Sequence, residues 1–212
     1  MSALAELGRT LADTADAASW GGAHAKVIGS YQAGAFAKPT SVETYARQML
    51  TPRDFKGNAA TRSGNRWEPL LLAWAGSEPN SLLIHHPDNR QYGATVDGTR
   101  GKTIHETKAK HNQVITAPTP REIRQMAWQM FCLPEMDEVR YVAGELVQQR
   151  DRNGEPVLDE HGNPEWELRR DPLTFTYPRD HHLIVAALSL IVPIAADVLA
   201  IVNAARTERS PF

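Results

Sequence analysis

The chain has 212 residues, with Lys+Arg 23 against Asp+Glu 25 and a formal net charge of −2. No basic field covers the whole molecule, which excludes a histone-like or tail-driven nucleic-acid binder while leaving room for a local basic cleft. Hydrophobic residues at 42% and charged residues at 23% exclude wholesale disorder, and the single cysteine, Cys132, excludes an intramolecular disulfide or a multi-cysteine zinc cage.

Residues 4–18 read as a short amphipathic helix, with Glu6, Arg9, Asp13 and Asp16 among alanines and leucines. They lack the basic start and apolar run of a secretory leader. Trp20, Gly21 and Gly22 interrupt that helix, and a second is expected over 23–30. Thr40, Ser41, Val42 and Glu43 form a helix start, with a hydroxyl to cap free amides and an acid soon after. The polar stretch 51–61, with Pro52 and Gly57, predicts a loop. Trp67, Leu70, Leu71 and Trp74 then recur at helical spacing and predict a helix over 63–75.

The pattern changes to strands over 81–85, 91–96 and 103–110, the last two separated by a turn at Asp97-Gly98-Thr99-Arg100-Gly101. A helix follows through Met130, with Thr119 as cap and Pro120 in its first turn. Residues 139–148 predict a strand. The stretch 150–170 reads as a loop or hairpin excursion; its six acids against four bases make it a poor track for a phosphate backbone. A short strand over 173–177 precedes the almost wholly apolar segment 183–202. That segment reaches the length of a membrane span, but Asp197 and Pro193 inside it favour a buried helix, broken or kinked near Pro193, that closes the core. No internal repeat is evident. The order of elements predicts an α/β fold with a mixed sheet, in a soluble cytosolic protein.

The chemistry concentrates between Asp97 and Lys110. On a strand, Glu106 and Lys108 project from one face, and the Thr107 carbonyl lies between them. Asp97, at the end of the preceding strand, can be brought beside Glu106 by a hairpin. Two carboxylates and a carbonyl are hard oxygen ligands, suited to magnesium or manganese rather than zinc. A lysine beside such an ion can hold or activate a water, and these are the ingredients of phosphodiester hydrolysis. Taken singly, each has an ordinary reading: Asp-Gly as a turn dipeptide, Glu-x-Lys as a solvated pair. From 99 to 112, Arg100, Lys102, Lys108 and Lys110 stand against Glu106 alone, a local surface for a nucleic-acid backbone. The pairs His85-His86 and His181-His182 face opposite ways on a strand and are not expected to ligate a metal.

These motifs resemble those of the PD-(D/E)xK nuclease superfamily, and within it the phage-type alkaline exonucleases, the lambda exonuclease and YqaJ-like viral recombinase group. The family's Gly-x-x-x-Glu helix is matched by Gly64 to Glu68, its Asp-Gly by Asp97-Gly98, its Glu-x-Lys strand by Glu106-Thr107-Lys108, and its glutamine helix by Gln125 and Gln129, in order across roughly residues 20 to 145. The resemblance implies a restriction-endonuclease-like core, a central mixed β-sheet flanked by helices. It implies one nuclease domain: this core, a terminal strand and helix over 172–205, and an excursion over 149–171.

By the same resemblance Asp97, Glu106 and the Thr107 carbonyl would hold Mg2+ (or Mn2+ as a substitute), with Glu68 helping at a second ion or its water shell. Lys108 would position or activate the water, and Gln129 would contact the scissile region or orient Lys108. Arg66, Arg100, Lys102, Lys110 and Gln125 would line the DNA. Further implied are exonuclease action on double-stranded ends in phage-type recombination, an annealing protein as partner, a homo-oligomeric ring, and the cytoplasm of a bacterial host. The family's early Gly-Gly-Ser-Asp is here Gly21-Gly22-Ala23-His24, so its 5′-phosphate pocket does not transfer. An endonuclease of the same superfamily, a non-catalytic DNA-binding subunit on the same scaffold, and a membrane anchor at 183–202 are the alternatives.

Overall fold

A computed structural model describes residues 4–51 and 59–208. The strands, in chain order, are β1 (Thr10–Asp13), β2 (Glu78–Pro79), β3 (Leu82–His86), β4 (Asn89–Ala94), β5 (Gly98–Arg100), β6 (Thr103–His111), β7 (Glu138–Gln148), β8 (Trp166–Leu168) and β9 (Leu173–Pro178). The α-helices are α1 (Ala17–His24), α2 (Ser30–Ala35), α3 (Val42–Leu50), α4 (Ala59–Ala75), α5 (Pro120–Cys132) and α6 (His182–Glu208). The result is a mixed α/β fold with a restriction-endonuclease-like core.

Its main sheet runs β2-β5-β6-β7-β8, with β9 also paired to β7. Only β6 and β7 are parallel there, from Thr103↔Glu138 to His111↔Leu146, and the other pairs are antiparallel. A parallel pair needs a crossover, and α5 supplies it. A second sheet, β1-β3-β4, is antiparallel.

Helix α5 is fixed at both ends, which matters because it carries both glutamines. Thr119 Oγ1 accepts from the Glu122 amide, and the Glu122 carboxylate accepts from the Thr119 amide, a reciprocal cap. At the other end Arg179 donates to the carbonyls of Met130, Leu133 and Met136, and Arg9 donates to those of Cys132 and His85. Two cations thus satisfy carbonyls left open by the helix end. Met126, Trp128 and Met130 of α5 are fully buried, and Trp128 Nε1 donates to the Gly93 carbonyl at 3.0 Å.

Several expectations are corrected. Residues 4–18 form a short 3-10 turn, the strand β1 and only the start of α1, because β1 pairs with β3 and thereby completes the second sheet. The Trp20-Gly21-Gly22 stretch lies inside α1, and the following helix starts at Ser30 rather than 23, after Ile28 bridges to Tyr92. Ser41 heads α3 without a side-chain cap; a 3-10 turn over Pro39–Ser41 leads into it. The expected loop at 51–61 lies mostly outside the described residues, and its last part, 59–61, belongs to α4, which starts at Ala59 rather than 63. In α4 the apolar stripe splits: Trp67 and Leu71 pack against Val142 and Leu146, while Leu70 is 55% and Trp74 50% exposed.

Helix α6 is unbroken through Pro193. Buried Ile191 and Ile194 flank the proline and, with Ile184, Ala187, Val198 and Val202, hold one face in the core. Packing on both sides outweighs one lost helical bond. Among the described residues α6 is the one helix long and apolar enough to cross a membrane, and it packs against α3 and α5. The 150–170 arm also holds a short repeat. Asp151 Oδ1 accepts from the amides of Asn153 and Glu155, and Asp159 Oδ1 from those of His161 and Asn163. Each turn closes on a glycine of positive φ, Gly154 at 84° and Gly162 at 76°.

Gly98 explains the Asp-Gly dipeptide differently from a turn. It is extended in β5, and a Cβ there would stand 2.6 Å from the Glu78 carbonyl oxygen and 2.8 Å from Leu72 Cδ2. The glycine therefore permits a close backbone approach of β2 to the strand that follows Asp97. Gly98→Ala is expected to destabilise the fold by roughly 1–3 kcal/mol, lowering Tm by about 2–12 °C in a thermal melt; an unchanged Tm would contradict this reading.

Candidate active site

The site arises where β5 stops short of β6. The ladder between them covers only Gly98↔His105 to Arg100↔Thr103, so β6 beyond His105 has an open edge on that side. Asp97 crosses this edge. Its Oδ2 accepts from the Thr107 amide at 2.7 Å and from the Thr107 hydroxyl at 2.8 Å. In an extended strand a residue's N–H and C=O point to the same side, so the Thr107 carbonyl shares the edge with the Asp97 carboxylate.

Alternation sends Glu106 and Lys108 to the face covered by α5. Glu106 is fully buried, and each of its oxygens is held. Oε1 accepts from Lys108 Nζ and, at 2.6 Å, from Gln125 Nε2; Oε2 accepts from Gln129 Nε2 at 2.5 Å. A buried carboxylate without such donors would cost several kcal/mol. Both glutamines thus act on Glu106, and Gln125 is no idle surface amide. The buried Gln129 Oε1 has no donor among the described residues, leaving an acceptor inside the site.

Glu68 comes from α4, on the sheet's other side. Trp67 and Leu71 anchor that helix to β7, and Glu68 is near enough to interact with the charges of Asp97, Glu106 and Lys108. Burial first, then the charges of Asp97 and Glu106, push its carboxyl up to about 7, against the opposing pull of Lys108. Burial and then Asp97 likewise raise Glu106. Burial pulls the Lys108 amine down, but Glu106 and Asp97 outweigh it and hold the amine above its ordinary range. Lys108 is therefore a cation near neutrality, suited to holding a water or a phosphate oxygen rather than taking a proton.

The structure thus brings together Glu68, Asp97, Glu106, Thr107, Lys108, Gln125 and Gln129. Among the described residues no group of three carboxylate, imidazole or thiol side chains is placed to hold a metal ion; protein donors occupy Glu106 and one oxygen of Asp97. The donor set is still of the kind a hard divalent cation takes: carboxylates raised by burial and then by one another's charge, a neighbouring carbonyl and an unpartnered buried amide oxygen.

The other bases are placed differently. Lys110 pairs with Glu122 in the first turn of α5, and Arg66 pairs with Glu165 of the arm at 2.8 Å. Arg100 and Lys102 sit at the β5–β6 hairpin end, Lys102 beside Asp137 at 3.7 Å. Three residues of strand separate Thr103 from Glu106, about 10 Å, so this end lies beside the carboxylate group rather than within it. His85 donates through Nδ1 to the His86 carbonyl, a structural contact.

Solved structures share this fold. An alkaline exonuclease (LHK-Exo) from Laribacter hongkongensis matches with TM-score 0.60 and 20% identity, over 91% of this chain and 98% of that one. The same exonuclease in complex with dAMP matches with TM-score 0.57 and 20% identity, over 90% and 96%. A phage related exonuclease from Haemophilus somnus 129PT matches with TM-score 0.53 and 16% identity, over 98% and 95%. No family model and no curated protein matches the chain. At these identities the likeness is one of fold: the chain has the fold of the phage-type alkaline exonucleases, as its motifs predict.

The raised Glu68 carboxyl has a consequence for stability. The unfolded chain loses this proton near the ordinary glutamate range of about 4.5, whereas the folded protein keeps it until about 7. The folded state binds more protons in that window, so stability falls as pH rises through it. Without divalent ions, Glu68→Gln is expected to melt higher than the parent protein at pH 8.5 and with it at pH 4. Equal melting at both pH values would contradict the carboxylate cluster.

Proposed function

We propose that this protein is a magnesium-dependent deoxyribonuclease that hydrolyses phosphodiester bonds from the ends of double-stranded DNA. The observation that carries the reading is the edge of β6, where Thr107 holds Asp97 against the strand that presents Glu106 and Lys108. A fold shared with exonucleases raises the prior, but the site bears the argument.

Asp97, Glu106 and the Thr107 carbonyl would hold Mg2+, or Mn2+ in its place, with Glu68 completing the acidic group. Bound there, the ion neutralises charge on a phosphate and lowers the pKa of an attacking water. Lys108 keeps its proton and faces the same region, so it supplies a fixed positive charge for the oxygens of a pentacovalent phosphorus. Gln125 and Gln129 keep Glu106 in one orientation, as partners behind metal ligands do. In-line attack would leave a 5′-phosphate on the product, and one solved neighbour holds dAMP, a mononucleotide. The reading extends to phage-type recombination in the bacterial cytoplasm, to an annealing protein as partner, and to a ring of subunits around the DNA.

The test is an assay on end-labelled linear duplex with Mg2+, beside covalently closed circular DNA and the Asp97→Ala protein. Linear DNA is expected to be degraded progressively and the closed circle spared, with Asp97→Ala slower by at least about 100-fold. Cutting of the closed circle would turn the reading to an endonuclease. Undiminished activity of Asp97→Ala would remove the site.

A further inference from the structure

Tyr31 is 68% exposed, although its helix is well docked. Helix α2 buries Ser30, Ala33 and Gly34, and Gly34 lets it approach α5 closely. A Cβ on Gly34 would lie 3.1 Å from the Arg121 carbonyl oxygen and 3.3 Å from Gln125 Cβ. Tyr31, one turn earlier, stands outside this contact. Its ring is covered on one face by the Arg121 guanidinium, 4.4 Å from the centroid, a favourable cation–π geometry. Its hydroxyl makes no hydrogen bond and Arg121 has no carboxylate partner among the described residues. The fold thus orients an aromatic plate and a cation that its own packing does not use.

Their position is informative. Arg121 precedes Gln125 by one helical turn, about 6 Å, and Gln125 is bonded to Glu106. Counting the two side chains as well as the helical turn, the plate lies on the order of 10–20 Å from the buried carboxylate, about three to six nucleotide steps of a strand that rises about 3.4 Å each. An exposed ring face accepts any nucleobase, and a guanidinium at its rim attracts the adjoining phosphate.

We propose that Tyr31, held by Arg121, is a stacking platform for a nucleobase of the strand being cut, within a few nucleotides of the scissile bond. The proposal rests on the nuclease reading. It adds a contact that acts through substrate binding and without sequence preference. Arg121 keeps the ring at a fixed tilt, so less freedom is lost when a base docks.

Steady-state cleavage of linear duplex and binding of a duplex carrying 2-aminopurine within its first six positions test this. Tyr31→Ala is expected to raise KM by about 5- to 150-fold, the range of base–aromatic stacking, with kcat within about twofold and Tm unchanged. Tyr31→Phe and Tyr31→Trp should restore KM to within about threefold. The Lys108→Ala protein should quench 2-aminopurine fluorescence, and adding Tyr31→Ala should abolish that quenching. A Tyr31→Ala protein equal to the parent in KM and quenching overturns the platform alone. A parent protein that neither cuts nor binds DNA overturns the nuclease reading, and the platform with it.

Discussion

The arrangement depends on one buried charge. Glu106 has no exposed surface, and an ionised carboxylate there is tolerated only because donors surround it. Lys108 comes from the same strand two residues on, and Gln125 and Gln129 come from successive turns of α5. Nearby elements can be understood as serving this clamp. The Thr119–Glu122 cap and the arginines at the far end of α5 hold the helix so that both glutamines meet the same carboxylate. The parallel pairing of β6 with β7 fixes the strand beneath it.

The second constraint is an unfinished ladder. A strand edge left open is ordinarily a liability; here Asp97 crosses it and is tied down by the Thr107 amide and hydroxyl. Gly98 makes this geometry accessible by letting the Glu78 backbone lie against the start of β5. A carboxylate just before β5, one on β6 and a third from α4 then share one region, and burial first, then their mutual repulsion, raises the proton affinity of Glu68 and Glu106. A site that strains against its own charge is one that a cation relieves, which links the cost in stability to the chemistry.

Much of this was legible in the sequence because it is local. Strand alternation puts Glu106 and Lys108 on one face, and Thr119-Pro120 with Glu122 announces the start of α5. Features that depend on distant partners were not legible. Thr10 to Asp13 pair with β3, some seventy residues away, so an apparently helical pattern became a strand. Leu70 and Trp74 keep helical spacing with Trp67 and Leu71, yet the helix offers only a narrow stripe to β7, and spacing cannot give that width. Gln125 looks like any helix-surface amide until Glu106 is known to lie beneath it. The hairpin bases Arg100 and Lys102 are near Lys108 in sequence, but extension along β6 puts them beside the carboxylate group rather than within it.

Fold and site support one account: a rigid helix and an open strand edge hold acidic oxygens around a point that calls for positive charge. Diffraction from crystals soaked in Mn2+, recorded at the manganese absorption edge, tests it most directly. The account predicts an anomalous peak about 2.0–2.6 Å from oxygens of both Asp97 and Glu106 and from the Thr107 carbonyl. A manganese ion bound elsewhere, with this edge of β6 left without a peak, would contradict it.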